Sequence, residues 1–410
     1  MMAYSEPVFL LLQASSAAQL SRQKSEMRIK ALTLQSEAFS AVRKDIGHVQ
    51  RRKGEGLVSD ELMLSSIIAG LTSAWYDVND IGLSHVLGSQ VLLSLWLGSK
   101  RNRLSHQENF ILGAFVYWIC ITSFVVGDPE GGLEFQQGLL AHVRSLEMGH
   151  NTVEDAGSFK SDPGILPHPL TGFSTELFIC VGKVGSLCRL RQNGNLMSDE
   201  RLQLLEATAR TIELELLDLQ QSFQTNFTDP QDPSTTVEEI LSVGEAYRCA
   251  GLLQLHTTFP QLLQHYYQKP PATDSMEEFT PWQHNWLRSL AVHILKILES
   301  IPPTSGTRVL QGLPAIIAAS WLVDPMSSTY PSLPGIQHPR LPLTKSSASK
   351  EHWRGAVRSG LQMHEQYVGL QQVSRILHIV EEVWRLDDRG EGKCHWMVVV
   401  ASKGLQTLYG

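Results

Sequence analysis

Apolar residues recur along this chain at steps of three and four, and runs that alternate residue by residue are nearly absent, which predicts helices throughout. Between Leu202 and Phe223 the series Leu202, Leu205, Ala209, Ile212, Leu216, Leu219, Phe223 makes one continuous stripe. Ser198, followed by Asp199 and Glu200, supplies a helix start. Thr236-Val237-Glu238-Glu239 reads as a capping box, after which Ile240, Val243, Tyr247 and Ala250 share a face. A third helix places Leu287, Leu290, Ile294, Ile297 and Ile301 together before Pro302-Pro303 stops it. Noisier helical patterns occupy about 8–50, 60–72, 82–100, 107–126, 134–147, 172–191, 353–387 and Cys394–Leu408. The expected fold is all-α, a large body of ten or more helices.

Breaks rich in Pro, Gly, Ser or Asp fall at Gly149–Pro169, Gln224–Thr235, Gln268–Thr280 and Asp324–Lys350, the last being the longest. None requires a separate domain. We divide the chain into an N-terminal helical segment, 1–53, and a main body, 54–410. Phe110–Val126 has 17 residues without a charge, at the lower edge of a bilayer span. It stands alone and lacks basic anchors on either flank, so a buried core helix is expected and no membrane. The apolar run Val8–Leu12 is too short for a signal peptide, and no Lys or Arg precedes Arg22, so the sequon at Asn226 is expected to stay unglycosylated.

The chain has 410 residues with a formal net charge of −7, which argues against a surface that grips nucleic acid all over. Its five cysteines (Cys120, Cys180, Cys188, Cys249, Cys394) are scattered and never two residues apart, as buried free thiols in a reducing compartment would be. The one basic cluster, Arg43-Lys44 with Arg51-Arg52-Lys53, reads as a solvated helix end; a weak nuclear-import signal or a phosphate contact is the sharper alternative.

Each catalytic signature fails at a residue its chemistry needs. Gly172-Phe173-Ser174-Thr175-Glu176 begins like a nucleophile elbow, but Glu176 stands where the turn needs a small residue, and Ser174 reads better as a helix cap. His364-Glu365 begins like a zinc-hydrolase helix, with Val368 in place of the second imidazole. Gly182-Lys183 lacks the upstream glycine of a phosphate loop, where Leu177 stands. His168 is expected to cap or lie at the surface, and the nine tryptophans to pack the core. The Leu202–Phe223 stripe is expected to pack internally, with a dimer seam as the alternative. No catalytic, cofactor-binding or metal-ligating residue is assigned, and no cofactor.

Several segments in succession resemble the regulatory region of fungal-specific transcription factors, nearest to the acriflavine-sensitivity-control type of two-zinc, six-cysteine regulators. They are Leu64–Leu97, with Ser73-Ala74-Trp75 followed by Asp77 and Asp80; Phe110–Phe124; His168–Arg191; Glu245–Pro260; Trp286–Leu313; Val380–Leu386; and Trp396–Leu408. The likeness spans about residues 8–410, and the order of segments carries it. It implies a nuclear transcriptional regulator, often of metabolic, drug-response or secondary-metabolite genes, that acts with the transcription machinery; the mechanism we expect is a shift of the helical body between states, driven by either a small-molecule effector or a partner. Such regulators also carry an N-terminal six-cysteine cluster, whereas the first 119 residues here contain no cysteine. DNA would then be reached through a partner protein or through a module missing from this sequence. The alternative is a cytosolic helical enzyme or small-molecule-binding protein. Its candidate metal carboxylates are Asp77 with Asp80, and Asp387-Asp388, where a terpene-cyclase motif would need a third Asp.

Overall fold

In the computed structural model every regular element among the described residues is helical, and the only β-type pairings are two isolated bridges, His168 with Gly172 and Asp232 with Thr235. The structure describes residues 5–51, 58–100, 104–125, 129–148, 166–193, 197–219, 227–267, 279–323, 348–391 and 394–409. The fifteen α-helices among them are α1 (Glu6–Leu20), α2 (Met27–Arg51), α3 (Asp60–Leu71), α4 (Ser73–Tyr76), α5 (Leu83–Gly98), α6 (His106–Thr122), α7 (Pro129–Met148), α8 (Thr175–Asn193), α9 (Asp199–Asp218), α10 (Val237–Thr258), α11 (Phe279–Ser300), α12 (Gly312–Ala319), α13 (Lys350–Val368), α14 (Gln371–Asp388) and α15 (Trp396–Lys403). Two 3-10 turns, Pro260–His265 and Gly306–Leu310, lie between them. The all-α expectation therefore holds. Most of the loop sequences expected at Gly149–Pro169, Gln268–Thr280 and Asp324–Lys350 fall outside the described residues, as do Asn226, Phe223, Arg52 and Lys53.

Local chemistry sets the boundaries. Ser198 and Thr236 cap α9 and α10 as their sequences predict, accepting the N–H of Arg201 and Glu239, and Glu239 closes its box back onto the Thr236 N–H. A second box, Ser105 with Glu108, starts α6. Gly369, at φ +69°, ends α13 in the left-handed conformation that glycine adopts without a Cβ penalty, so the helical run 353–387 becomes two helices rather than one.

Helices α6, α8 and α10 form the centre. Ile111–Thr122 of α6 and Leu177–Cys188 of α8 are buried without interruption, as is Ala246–His256 of α10. A helix apolar all round belongs in a core. α8 packs on α6, α7, α9 and α10 at once. This places the described part of the uncharged run, 110–125, at the heart of the protein, and no helix among the described residues is long and apolar enough to cross a membrane. The α1–α2 hairpin packs on α3 and contributes Val8, Leu11, Ala38 and Val42 to the same continuous core that reaches Leu408 and Tyr409. The C-terminal end is tied down by polar contacts. Trp396 Nε1 donates to Gln254 Oε1 at 3.0 Å, and Arg375 Nη1 donates to the carbonyls of Gln406 and Val78 at 2.9 and 3.2 Å.

Candidate functional site

Ser174, Lys183 and the candidate metal carboxylates, singled out in the sequence, have structural partners. Ser174 Oγ accepts the Leu177 N–H at 3.1 Å and caps α8, the role its sequence suggests. Lys183, buried in α8, pairs with Glu215 at 2.6 Å. Asp77 and Asp80 turn the chain between α4 and α5 by accepting the N–H groups of Asn79 and Gly82 at 3.0 and 2.8 Å. Asp388 receives two bonds from Arg354, at 2.9 and 2.7 Å, with Lys350 at 3.3 Å, and Asp387 lies 3.6 Å from the same guanidinium. These carboxylates are neutralised by side chains of the chain itself, and Asp77 lies on a different loop.

His168 takes the capping role. Its Nδ1 accepts the N–H groups of Leu170 and Thr171 at 3.0 and 3.1 Å, which leaves Nε2–H to donate to the Phe110 carbonyl at 2.9 Å. Burial pushes its pKa down to about 4, against a smaller opposing effect of the Phe110 bond. The ring lies against α6 at Gly113, where a Cβ would stand 2.7 Å from it. The α9 stripe is likewise internal: Leu205, Ala209, Ile212 and Leu216 are buried, so this face is not free to act as a dimer seam. Trp96, Trp118, Trp286, Trp384 and Trp396 are fully buried core residues. Arg43 and Lys44 are exposed on α2.

Three polar clusters were not legible in the sequence. In the first, His256 Nε2 donates to the fully buried Glu213 at 2.7 Å, Arg210 adds a bond at 2.6 Å, and Trp286 Nε1 donates to His256 Nδ1 at 3.4 Å. Burial raises the Glu213 carboxyl, but the bonds and charges of His256 and Arg210 more than reverse this and hold it below its ordinary value. Every strong acceptor here is engaged, so the cluster cross-links α9, α10 and α11. In the second, Glu245 and Cys249 of α10 meet His293 of α11, with one ligand atom from each within 4.8 Å of the others. That spacing suits a divalent metal. Arg248, however, forks both Glu245 oxygens at 2.7 and 2.6 Å, and burial, with the Glu245 charge next, pushes the Cys249 thiol far up. A thiol so protonated beside a carboxylate already held by arginine is a poor ligand set.

The third cluster lines a cavity of about 240 Å³ between α11, the 306–310 turn and α13. Leu295, Leu298, Ile301, Ala315, Val357 and Leu361 supply apolar wall. Glu299, Gln311 and Ser359 also line it, and three further polar side chains there are nearly buried: Arg308 at 6 % exposure, Trp353 at 3 % and His364 at 5 %. Among the described residues Arg308 Nε and Trp353 Nε1 have no hydrogen-bond partner. Burial, and then the charge of Arg308, push the His364 pKa down to about 4, so the imidazole is neutral at pH 7. The sequence located His364 only as a failed zinc motif. No spacing signal links residue 308 with 353 and 364, because it is the packing of the 306–310 turn on α13 that joins them.

No curated protein and no solved structure matches this chain. Residues 1–410, the entire sequence, match the model of the fungal specific transcription factor domain. The succession of helical segments, the all-α body and this full-length match agree, and the chain belongs to the fungal-specific transcription factor family.

Proposed function

We propose that this chain acts in the nucleus as a regulatory body controlling metabolic or secondary-metabolite genes, in the manner of the acriflavine-sensitivity-control branch. Family membership makes it a transcriptional regulator and implies a non-enzymatic role; the match over the whole chain is the observation that carries the reading. Two further features support it. The carboxylates, serine and lysine that opened catalytic motifs serve as caps, turns and ion pairs. The five cysteines offer no zinc-cluster spacing, so we assign DNA recognition to a partner protein or to a module outside these residues.

A tethering assay tests the reading. Residues 1–410 fused to an unrelated DNA-binding module, on a reporter of intermediate basal output, should raise or lower that output several-fold. Output equal to that of the module alone, with the fusion present at the promoter, would remove the regulatory role.

A further inference from the structure

We propose that the cavity bounded by α11, the 306–310 turn and α13 is a binding site for a small organic carboxylate with an apolar body. The inference stands on the cavity itself and goes beyond the regulator reading.

The polar groups of the cavity define the ligand's head. Among the described residues Arg308 makes no ion pair, although only 6 % of it is exposed. A guanidinium so placed, with Nε unsatisfied, carries a desolvation cost that an anion offsets through charge-assisted hydrogen bonds. Trp353, whose Nε1 is a second unsatisfied donor, lines the same cavity. Indole N–H and guanidinium N–H groups only donate, so both call for an acceptor and neither suits a cationic ligand. The remaining ionisable neighbours do not change the sign. His364 is neutral at pH 7, and the Tyr367 hydroxyl lies close enough to Arg308 to act on it. Glu299 also lines the cavity, but its side chain is exposed to water, where its repulsion of an anion is screened.

The walls define the tail. Leu295, Leu298, Ile301, Val357 and Leu361 offer no polar atom to a ligand, so an inorganic anion would leave most of the surface unmatched. A volume of about 240 Å³ lies just below the roughly 300–1,000 Å³ of sites for drug-sized molecules, which fits a metabolite-sized acid. A carboxylate rather than a phosphate suits the charge on hand, because among the described residues Arg308 is the one cation that lines the cavity, and Gln311 and Ser359, further donors there besides the indole, are uncharged.

Gly360 allows a clean block. It lines the cavity from α13, and a Cβ built there meets nothing within 4 Å, so a larger side chain is accommodated at the cavity's edge without clashing with the fold. The test is thermal melting of the purified full chain with straight-chain and arylalkyl carboxylates of three to ten carbons. Each acid is compared with the alcohol and the amine of the same skeleton, and inorganic phosphate serves as the charge-only probe. At least one acid should raise Tm in a saturable way, with its alcohol at least tenfold weaker and its amine inert. The shift should vanish in Gly360→Leu and fall at least tenfold in affinity in Arg308→Met. Stabilisation by phosphate alone would overturn the apolar part of the proposal. No shift with any acid, or an equal shift in Gly360→Leu, would overturn the site. Should Arg308→Met fail to fold, Gly360→Leu and the alcohol comparison still decide. Binding on the purified chain can fail while tethered reporter output persists, so the two claims fall separately.

Discussion

His168 and His364 are each held near pKa 4 by burial, one capping a turn against α6 and the other inside the α13 cavity. An unfolded histidine titrates near 6.5, so each takes up a proton on unfolding between about pH 4 and 6.5. Their contribution is therefore whole above about pH 6.5 and falls as pH drops through that window. The expected loss is on the order of 2 kcal/mol per imidazole between pH 7 and 5. Glu213 works in a lower range: its carboxyl is held below 4.5, so its contribution is lost only as pH falls beneath that value. Denaturant titrations at pH 7 and pH 5 check this, with His364→Gln expected to remove its own share, on the order of 2 kcal/mol, while His168 and the likewise lowered His85 and His293 keep the rest; an unchanged acid loss would show that His364 is not neutral in the fold. The sequence offered His168 as a cap and His364 as half of a zinc motif. It could not offer their pKa values, which follow first from burial by tertiary packing; the nearest polar neighbours, Phe110 opposing the shift in one and Arg308 adding to it in the other, lie more than 50 residues away.

Helix glycines of identical composition face opposite surroundings. A Cβ on Gly70 of α3 would lie 2.0 Å from the buried Trp118 ring, and one on Gly360 of α13 would touch nothing. Gly70→Ala should therefore destabilise by roughly 1–3 kcal/mol through overpacking. Gly360→Ala should stabilise by up to about 1 kcal/mol, the helix-propensity difference. Melting of both variants settles the signs, and a destabilising Gly360→Ala would mean that the cavity wall is closed there. At this scale the sequence is informative where chemistry is local. The Ser198 cap, the Thr236 box and the stripe of α9 all stand where their residues place them. It is less so where geometry is tertiary. The helical run 8–50 divides into α1 and α2, and α12, a short apolar helix buried along its length, carries no periodicity to reveal it.

Across the whole molecule one apolar core runs from Val8 to Tyr409, and the segment 1–53 shares it through α1 and α2. The fold class was legible because periodicity recurs in nearly every segment, and the family because those segments keep their order. The cavity was not legible: its two orphan donors and its neutral imidazole come from a 3-10 turn and a helix separated by more than 40 residues. Nothing in their spacing marks them, and only the burial of an unpaired guanidinium does so once the helices are packed. An all-helical scaffold that keeps a small apolar cavity with unsatisfied donors is consistent with the regulator that family membership makes of this chain.

The most direct test of that account is chromatin immunoprecipitation of the protein tagged at its C-terminus in its native locus, with the tagged product sized on a blot. The account predicts discrete promoter occupancy. A band near 45.7 kDa would then mean that a partner supplies the DNA contact, and a larger band that an additional module does. Protein that stays outside the nucleus and occupies no promoter under any growth condition would contradict the regulator reading.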